Sequence, residues 1–185
     1  MDEPVGFERL GEEEVFRGWL FSVGRVELRD PEGSPFERFV VHHPGAVAVV
    51  AVDDDRTVTL VRQLRTAVWE RVLEIPAGTC DHEGEEPEQT ARRELAEEAG
   101  LEAERWERLG AVYNSPGMSD QRTTIYLATG LRPCATDRRG VEERWMTTER
   151  ISLDDTAQMV ASGRLVDETT VLGLLLAARA LDARR

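Results

Sequence analysis

Between Pro87 and Gly100 the chain reads PEQTARRELAEEAG, a stretch with little conformational choice. Proline suits the first helical position and glycine the residue that ends a helix. Acidic residues crowd the entry, where the positive end of the helix dipole favours them. Glu94, Glu97 and Glu98 fall at i, i+3 and i+4, which puts their carboxylates on one face within about one turn. Three like charges that close repel one another, and divalent cations would relieve the repulsion. Hard oxygen ligands of this kind suit Mg²⁺ or Mn²⁺ rather than zinc. Leu95 and Ala99 point away from this face and are free to bury the helix, so the carboxylates would stand on a rigid support. A solvated acidic face is the plain alternative, because runs of glutamate usually are that.

The surroundings of this helix read as strands. Val15 to Phe21 and Gly24 to Leu28 alternate as half-buried strands do, and the turn Asp30-Pro31-Glu32-Gly33 leads to a third, Phe36 to His42. His43-Pro44-Gly45 breaks the chain, so residues 1–44 are expected to form a small antiparallel β appendage and residues 45–185 the main domain. Ala46 to Val52 is a nearly continuous apolar strand, Thr57 to Arg62 returns, and Leu73-Glu74-Ile75 is a short strand ended by Pro76. Later strands are expected at Leu109 to Tyr113, Thr123 to Ala128 and Trp145 to Ile151. Further helices are expected from Ser152 to about Ser162 and from Asp167 to about Leu181. Strands mixed with three helices predict an α+β fold, a mixed sheet covered by helices on both faces.

Charge and composition narrow the function classes. The 185 residues carry a net charge of -13, and every base except three histidines is arginine. So acidic a surface argues against a nucleic-acid partner, whose affinity comes from neutralising phosphates, but leaves room for a phosphorylated small molecule. Two cysteines, Cys80 and Cys134, cannot make a disulfide framework. The first residues lack the apolar core of a signal peptide, and the apolar run Val171 to Leu181 is interrupted by Arg179 and too short to span a bilayer. The expectation is a cytoplasmic protein without a membrane partner.

The segment Gly78 to Leu101, GTCDHEGEEPEQTARRELAEEAGL, resembles the Nudix box, G-x5-E-x7-R-E-U-x-E-E-x-G-U with U aliphatic. From Glu85 onward every fixed position matches: Glu85, Arg93-Glu94, Leu95, Glu97-Glu98, Gly100 and Leu101. One departure precedes it, since six residues rather than five separate Gly78 from Glu85. ERFVVHHPGAVAVVAVDDD, VTLVRQLR and LEIPAG are similar to the ADP-ribose pyrophosphatase subgroup, as is a proline sixteen residues beyond the box, here Pro116 of Ser115-Pro116-Gly117.

The resemblance implies a Nudix-type α/β/α sandwich that hydrolyses the pyrophosphate of ADP-ribose to AMP and ribose 5-phosphate with Mg²⁺ or Mn²⁺. It implies Glu94 and Glu98 as metal ligands, Glu97 in the same cluster, and the backbone carbonyl of Ala77 as a further ligand. Gly78, Glu85, Arg93 and Gly100 would be structural, with Arg93 and Glu85 paired. Arg62, Arg65, Glu74, Ser115, Pro116 and Gly117 would meet the substrate. The usual aromatic between the two arginines is Leu64 here, and glutamate often stands where this chain has Gln121. A loop glutamate would act as base, either Glu142, which ungapped matching favours by one position, or Glu143. The plain alternative is that both are exposed loop charges. The N-terminal strands would pack across a two-fold axis in a homodimer. GDP-sugars, dinucleotides and a non-catalytic ADP-ribose sensor are the competing readings.

Other residues read without special chemistry. His42 and His43 are consecutive in a strand, so their side chains face opposite ways and cannot share one metal. His82 is expected to be exposed. Trp19, Trp69, Trp106 and Trp145 are expected in the core or an interface, with Trp19 and Trp69 also candidates for adenine contact.

Overall fold

The computed structural model describes residues 5–138 and 140–184. They form two compact units, one running up to Gly45 and taking in Tyr113–Arg122, the other comprising Ala46–Val112 and the chain from Thr123 onward.

The first unit is an antiparallel sheet of β1 (Glu8–Arg17), β2 (Ser22–Arg29) and β3 (Pro35–His42), in that order. The first strand lies earlier than its apolar pattern suggests. Its glutamates have cross-strand partners: Glu13 bonds Arg25 at 2.6 Å and Glu8 bonds Arg29 at 2.7 Å. Residues 18–21, expected inside a strand, instead make the turn to β2, closed by Gly18 N–H donating to the Phe21 carbonyl at 2.8 Å. The turn at Asp30 is held by its carboxylate, which accepts from the N–H groups of Glu32 and Ser34 at 2.9 and 2.8 Å. Residues 113–122 join this unit through β3. Val41 N–H donates to the Met118 carbonyl at 2.8 Å, and Asp120 N–H to the Val41 carbonyl at 3.2 Å.

The second unit contains β4 (Ala46–Val52), β5 (Thr57–Arg65), β6 (Glu70–Glu74), β7 (Ala77–Thr79), α1 (Pro87–Glu94), β8 (Leu101–Tyr113), β9 (Arg122–Pro133), β10 (Thr147–Ser152), α2 (Thr156–Ala161) and α3 (Glu168–Asp182). Its sheet runs β10-β5-β4-β9-β8, with β6 paired to β5 and β7 to β4. Strand β4 is parallel to β9, from Ala46 opposite Thr123 to Val52 opposite Thr129, and antiparallel to β5 and β7. The sheet is therefore mixed, as the pattern of elements implied.

Strand β4 explains why helices cover both faces. Val47, Val49 and Ala51 pack in one cluster with Ala91, Leu95, Tyr126 and Ala128. Ala48, Val50 and Val52 pack in the other with Leu60, Leu127, Met159, Leu165, Leu174 and Ala177. Side chains of a strand alternate, so a continuous apolar run needs two dry faces. Helix α1 supplies one cover, α2 and α3 the other, giving the α/β/α sandwich. Gly173 lets α3 approach closely, since a Cβ there would lie 2.9 Å from Ile75 Cδ1 and 3.1 Å from Val50 Cγ2. Asp167 caps α3 by accepting from Thr170 N–H at 2.7 Å, and the Thr170 hydroxyl accepts from Ile75 N–H at 3.0 Å.

Elsewhere the boundaries moved. Strands β8 and β9 are longer than their apolar centres, and the three-residue β7 had no signal of its own. Trp145, expected in a strand, belongs to the 3₁₀ turn Glu143–Trp145, and β10 starts at Thr147. None of the described helices is long and apolar enough to cross a membrane.

Candidate active site

Helix α1 begins as its sequence dictates. Pro87 occupies the first turn, and the Gln89 side chain accepts from the Glu86 N–H at 2.9 Å, one half of a capping box. The helix does not continue regularly to Gly100. Leu95–Ala99 form a π-helical turn, and Gly100 ends it in the left-handed region at φ 66°. Such wide turns concentrate at functional sites, and this one carries Glu97 and Glu98. Leu95 is fully buried, which anchors the turn to the sheet.

The three glutamates do not share one environment. Glu94 and Glu97 both accept from Arg93 Nη1, at 2.6 and 3.2 Å. Glu98 turns inward, is 4% exposed, and accepts from the Ala77 N–H at 3.0 Å. Ala77 thus meets the cluster through its N–H, and its carbonyl keeps its proposed part as a metal ligand. Arg93 also reaches Glu85 through Nε and Nη2, both at 3.2 Å, and the Thr90 hydroxyl donates to Glu85 at 3.0 Å. That pair ties the loop to the helix. Gly78 serves the same corner by lacking a side chain, because a Cβ there would overlap the Glu94 carboxylate.

Burial dominates the electrostatics. It pushes the Glu94 carboxyl up to about 7, against the pull of Arg93, with Glu97 and Glu143 adding repulsion. Burial likewise pushes Glu98 up to about 8, opposed by the Ala77 N–H and reinforced by Glu94 and Glu143. Among the described residues, no three His, Cys, Asp or Glu side chains form a ready coordination set. The donors nevertheless fit a hard cation. They are oxygens only, one on the buried Glu98 and one on the half-buried Glu94, both carboxylates that resist their own charge, beside a glycine that leaves room for Glu94.

Glu142 and Glu143 separate clearly. Glu142 is exposed, whereas Glu143 is half-buried and lies in the field of both Glu94 and Glu98. Its carboxylate accepts from Gly140 N–H at 2.9 Å. The geometry thus favours the second of the two, one position from the residue that ungapped matching prefers.

Arg65 and Glu74 face each other in a forked pair, with Arg65 Nε donating to Glu74 at 2.8 Å. Glu74 is 4% exposed, and it holds the Arg65 guanidinium above its ordinary range, with Glu98 and Asp167 adding to the field. Arg62 bonds Glu149 at 3.2 Å and the Arg71 carbonyl at 3.4 Å, so it braces strands instead of joining the acidic turn. Ser115, Pro116 and Gly117 belong to the other unit, where the Ser115 carbonyl accepts from Met118 and Ser119 N–H at 2.9 and 2.8 Å. Pro116 and Gly117 line a cavity of about 540 Å³ there, with Arg9, Arg38, Tyr113 and Asp120.

Several residues depart from expectation or were missed. Trp19, Trp69 and Trp145 are 91%, 76% and 80% exposed, so only Trp106 packs in the core, edge-on to Tyr126. His42 is held between Glu12 and Asp120 by its two ring nitrogens, and His43 Nδ1 accepts from Gly45 N–H at 3.1 Å. Arg138 was missed: its Nε donates to the Glu98 carbonyl at 3.0 Å and its Nη1 to the Met146 carbonyl at 2.7 Å. Only the helix stop at Gly100 hinted at it, by leaving C-terminal carbonyls in need of donors.

The sandwich and the acidic turn define the class: an α+β protein with a carboxylate site suited to a divalent cation. The NUDIX domain family model matches residues 41–165, and the chain belongs to the Nudix family. It is 39% identical to an ADP-ribose pyrophosphatase of Mycobacterium tuberculosis, over 91% of this chain and 82% of that protein. It is 34% identical to an ADP-ribose pyrophosphatase of Bacillus subtilis, over 89% of each. The crystal structure of an ADP compounds hydrolase superposes with a TM-score of 0.85 at 23% identity, covering 100% of this chain and 98% of that one. This last likeness concerns the fold.

Proposed function

We propose that the protein hydrolyses the pyrophosphate bond of ADP-ribose to AMP and ribose 5-phosphate. The observation that carries the chemistry is the acidic turn, with Glu98 buried and Glu94 half-buried on it and Glu143 in their field. The substrate rests on the two relatives named ADP-ribose pyrophosphatase, matched over 82% and 89% of their length. Glu94, Glu98 and Glu97 would hold divalent cations, Mg²⁺ or Mn²⁺, which neutralise the diphosphate and make water a better nucleophile. Glu143 would take the proton of the attacking water. Arg65, paired with Glu74, and Arg62, bonded to Glu149, would meet phosphate or ribose oxygens of the substrate together with Glu74. The turn Ser115-Pro116-Gly117 keeps its proposed part in substrate recognition.

Incubation with Mg²⁺ and a panel of ADP-ribose, GDP-mannose, NADH, diadenosine polyphosphates and nucleoside triphosphates tests this by chromatography of the products. AMP released preferentially from ADP-ribose, and abolished by a chelator, is the expected result. Preferential cleavage of another member would keep the chemistry and discard the substrate, and no turnover with tight ADP-ribose binding would favour a sensor.

The proposed assembly is a homodimer through the N-terminal sheet. Its support is the run of exposed Phe7, Leu10, Phe16, Trp19 and Phe39 on that unit. A monomer mass in sedimentation at micromolar concentration would sink it. The proposed compartment is the cytoplasm, in keeping with two free thiols, Cys80 and Cys134.

A pH dependence of cation binding follows from the two raised carboxyls. Folded Glu94 and Glu98 bind their protons more tightly than the unfolded chain does, near 4.5. Their contribution to stability is therefore complete below that value and is lost as pH rises through about 7 and 8. A cation must displace those protons, so Mg²⁺ should raise the melting temperature several-fold more at about pH 8.5 than at about pH 6. Equal shifts at both pH values in differential scanning fluorimetry would remove these two carboxylates from the cation site.

A further inference from the structure

We infer that Arg138 is a positioning residue for hydrolysis, holding the loop that carries Glu143 against the acidic turn; this rests on the reading of Glu143 as the base. Among the described residues, the Arg138 guanidinium links one end of this loop to the other, at Met146. Arg138 Nε and Nη2 donate to the carbonyl of Glu98, and Nη1 donates to the carbonyl of Met146. One side chain thus joins the first residue of the loop, the residue after its last turn, and the backbone of Glu98.

Each contact has a reason in local structure. The Glu98 carbonyl belongs to the last turn before Gly100, where no further helical N–H follows to meet it. A charged planar fork is the donor best able to satisfy that carbonyl and a second one together. Met146 is 3% exposed, so its backbone gives a fixed end to the loop. Between the two ends, Met146 N–H donates to the Glu143 carbonyl at 2.9 Å, Arg144 N–H to the Gly140 carbonyl at 3.2 Å, and Gly140 N–H to the Glu143 carboxylate. The position of Glu143 is therefore carried through short bonds back to Met146, and from Met146 through Arg138 to Glu98. Arg138 touches neither glutamate side chain in these bonds, so its influence on chemistry would pass through geometry alone.

A plain helix cap would show the same bonds at Glu98, and a double-mutant cycle separates the two roles. Wild type, Arg138→Ala, Glu143→Gln and the double variant are compared for kcat, KM and thermal stability, on whichever panel substrate the wild type cleaves. If Arg138 acts through Glu143, Arg138→Ala should lower kcat roughly 30- to 100-fold with KM within about twofold, the scale of a misplaced group. The same substitution in the Glu143→Gln background should then cost less than about threefold, because the two changes remove one effect. Equal fold losses in both backgrounds, or an unchanged kcat, would overturn the inference while leaving the proposed activity in place. No effect of Glu143→Gln would remove both the base and the positioning role, and a wild type that turns over nothing would remove the activity itself. Should Arg138→Ala not fold, Arg138→Lys carries the test. It can satisfy one carbonyl but not fork to two, so a smaller loss confined to the Glu143 background supports the inference, and an equal loss in both backgrounds overturns it.

Discussion

Glu98→Gln should abolish nearly all turnover while leaving the fold intact or firmer. The carboxylate is buried and pushed up to about 8, so its charge is costly to the folded chain at neutral pH. A glutamine is nearly isosteric, and its carbonyl oxygen can still accept from the Ala77 N–H that Glu98 now holds at 3.0 Å. Replacing a carboxyl that the fold holds largely protonated at neutral pH by a neutral amide that keeps the hydrogen bond gives no reason for unfolding. Chemistry should respond in the opposite direction, because an amide is a poor partner for a hard divalent cation. Loss of a real ligand carboxylate is expected to cut kcat by about two to four powers of ten, roughly 3–5 kcal/mol of barrier. Thermal melting without added metal should show an equal or higher midpoint for the variant, and melting with Mg²⁺ a smaller gain than wild type. Full activity with metal present would collapse the assignment of Glu98. An unfolded variant would instead show that the carboxylate's worth is structural.

Gly78→Ala makes a second large and different prediction. A methyl group at residue 78 would occupy space that the Glu94 carboxylate now fills. The backbone of β7 is paired to β4 through Gly78 opposite Val47, so it has little freedom to retreat. The carboxylate must swing away, and a shift of about 1 Å in a positioned group can cost on the order of 100-fold. Turnover should fall by about that factor or more, with Mg²⁺ affinity weakened in titration calorimetry. An alanine variant with unaltered kcat and metal affinity would show that Glu94 has other places to stand, and would separate it from the cation site. The two variants differ in kind: one removes a ligand, the other keeps it and denies it room.

Local chemistry made part of this legible in advance. The apolar run of β4 could only be a strand dry on both faces, and Pro87 and Gly100 bounded the helix because their backbone preferences act on the residues beside them. The spacing of the box brought Glu94, Glu97 and Glu98 to one end of that helix for the same reason. What escaped depended on contacts between distant residues. Nothing near Glu98 in sequence says that it will turn toward Ala77, or that the turn will widen to a π-helix. Arg138 gave no signal of its own because its partner carbonyls lie 40 residues before it and eight after it. The pairing of the β1 glutamates with Arg25 and Arg29 was hidden for the same reason. The exposed Trp19, Trp69 and Trp145 leave the interface half of their expectation as a proposal, since bulk and apolarity mark a preference for burial without saying which surface supplies it.

The segment Tyr113–Arg122 has a consequence for how this chain is made. It completes the N-terminal sheet by bonding to Val41 and by bringing Asp120 to His42 and His43, yet it sits in sequence between two strands of the larger unit. During synthesis β1, β2 and β3 leave the ribosome first, but their last partner follows only after residue 122 has emerged. At about 5–20 residues per second that delay is roughly 4 to 15 s, during which Phe39 and its apolar neighbours wait without their native loop. Cutting the gene after Gly45 would for the same reason release a sheet that lacks a piece of itself. The N-terminal unit is first to be translated and cannot be first to finish.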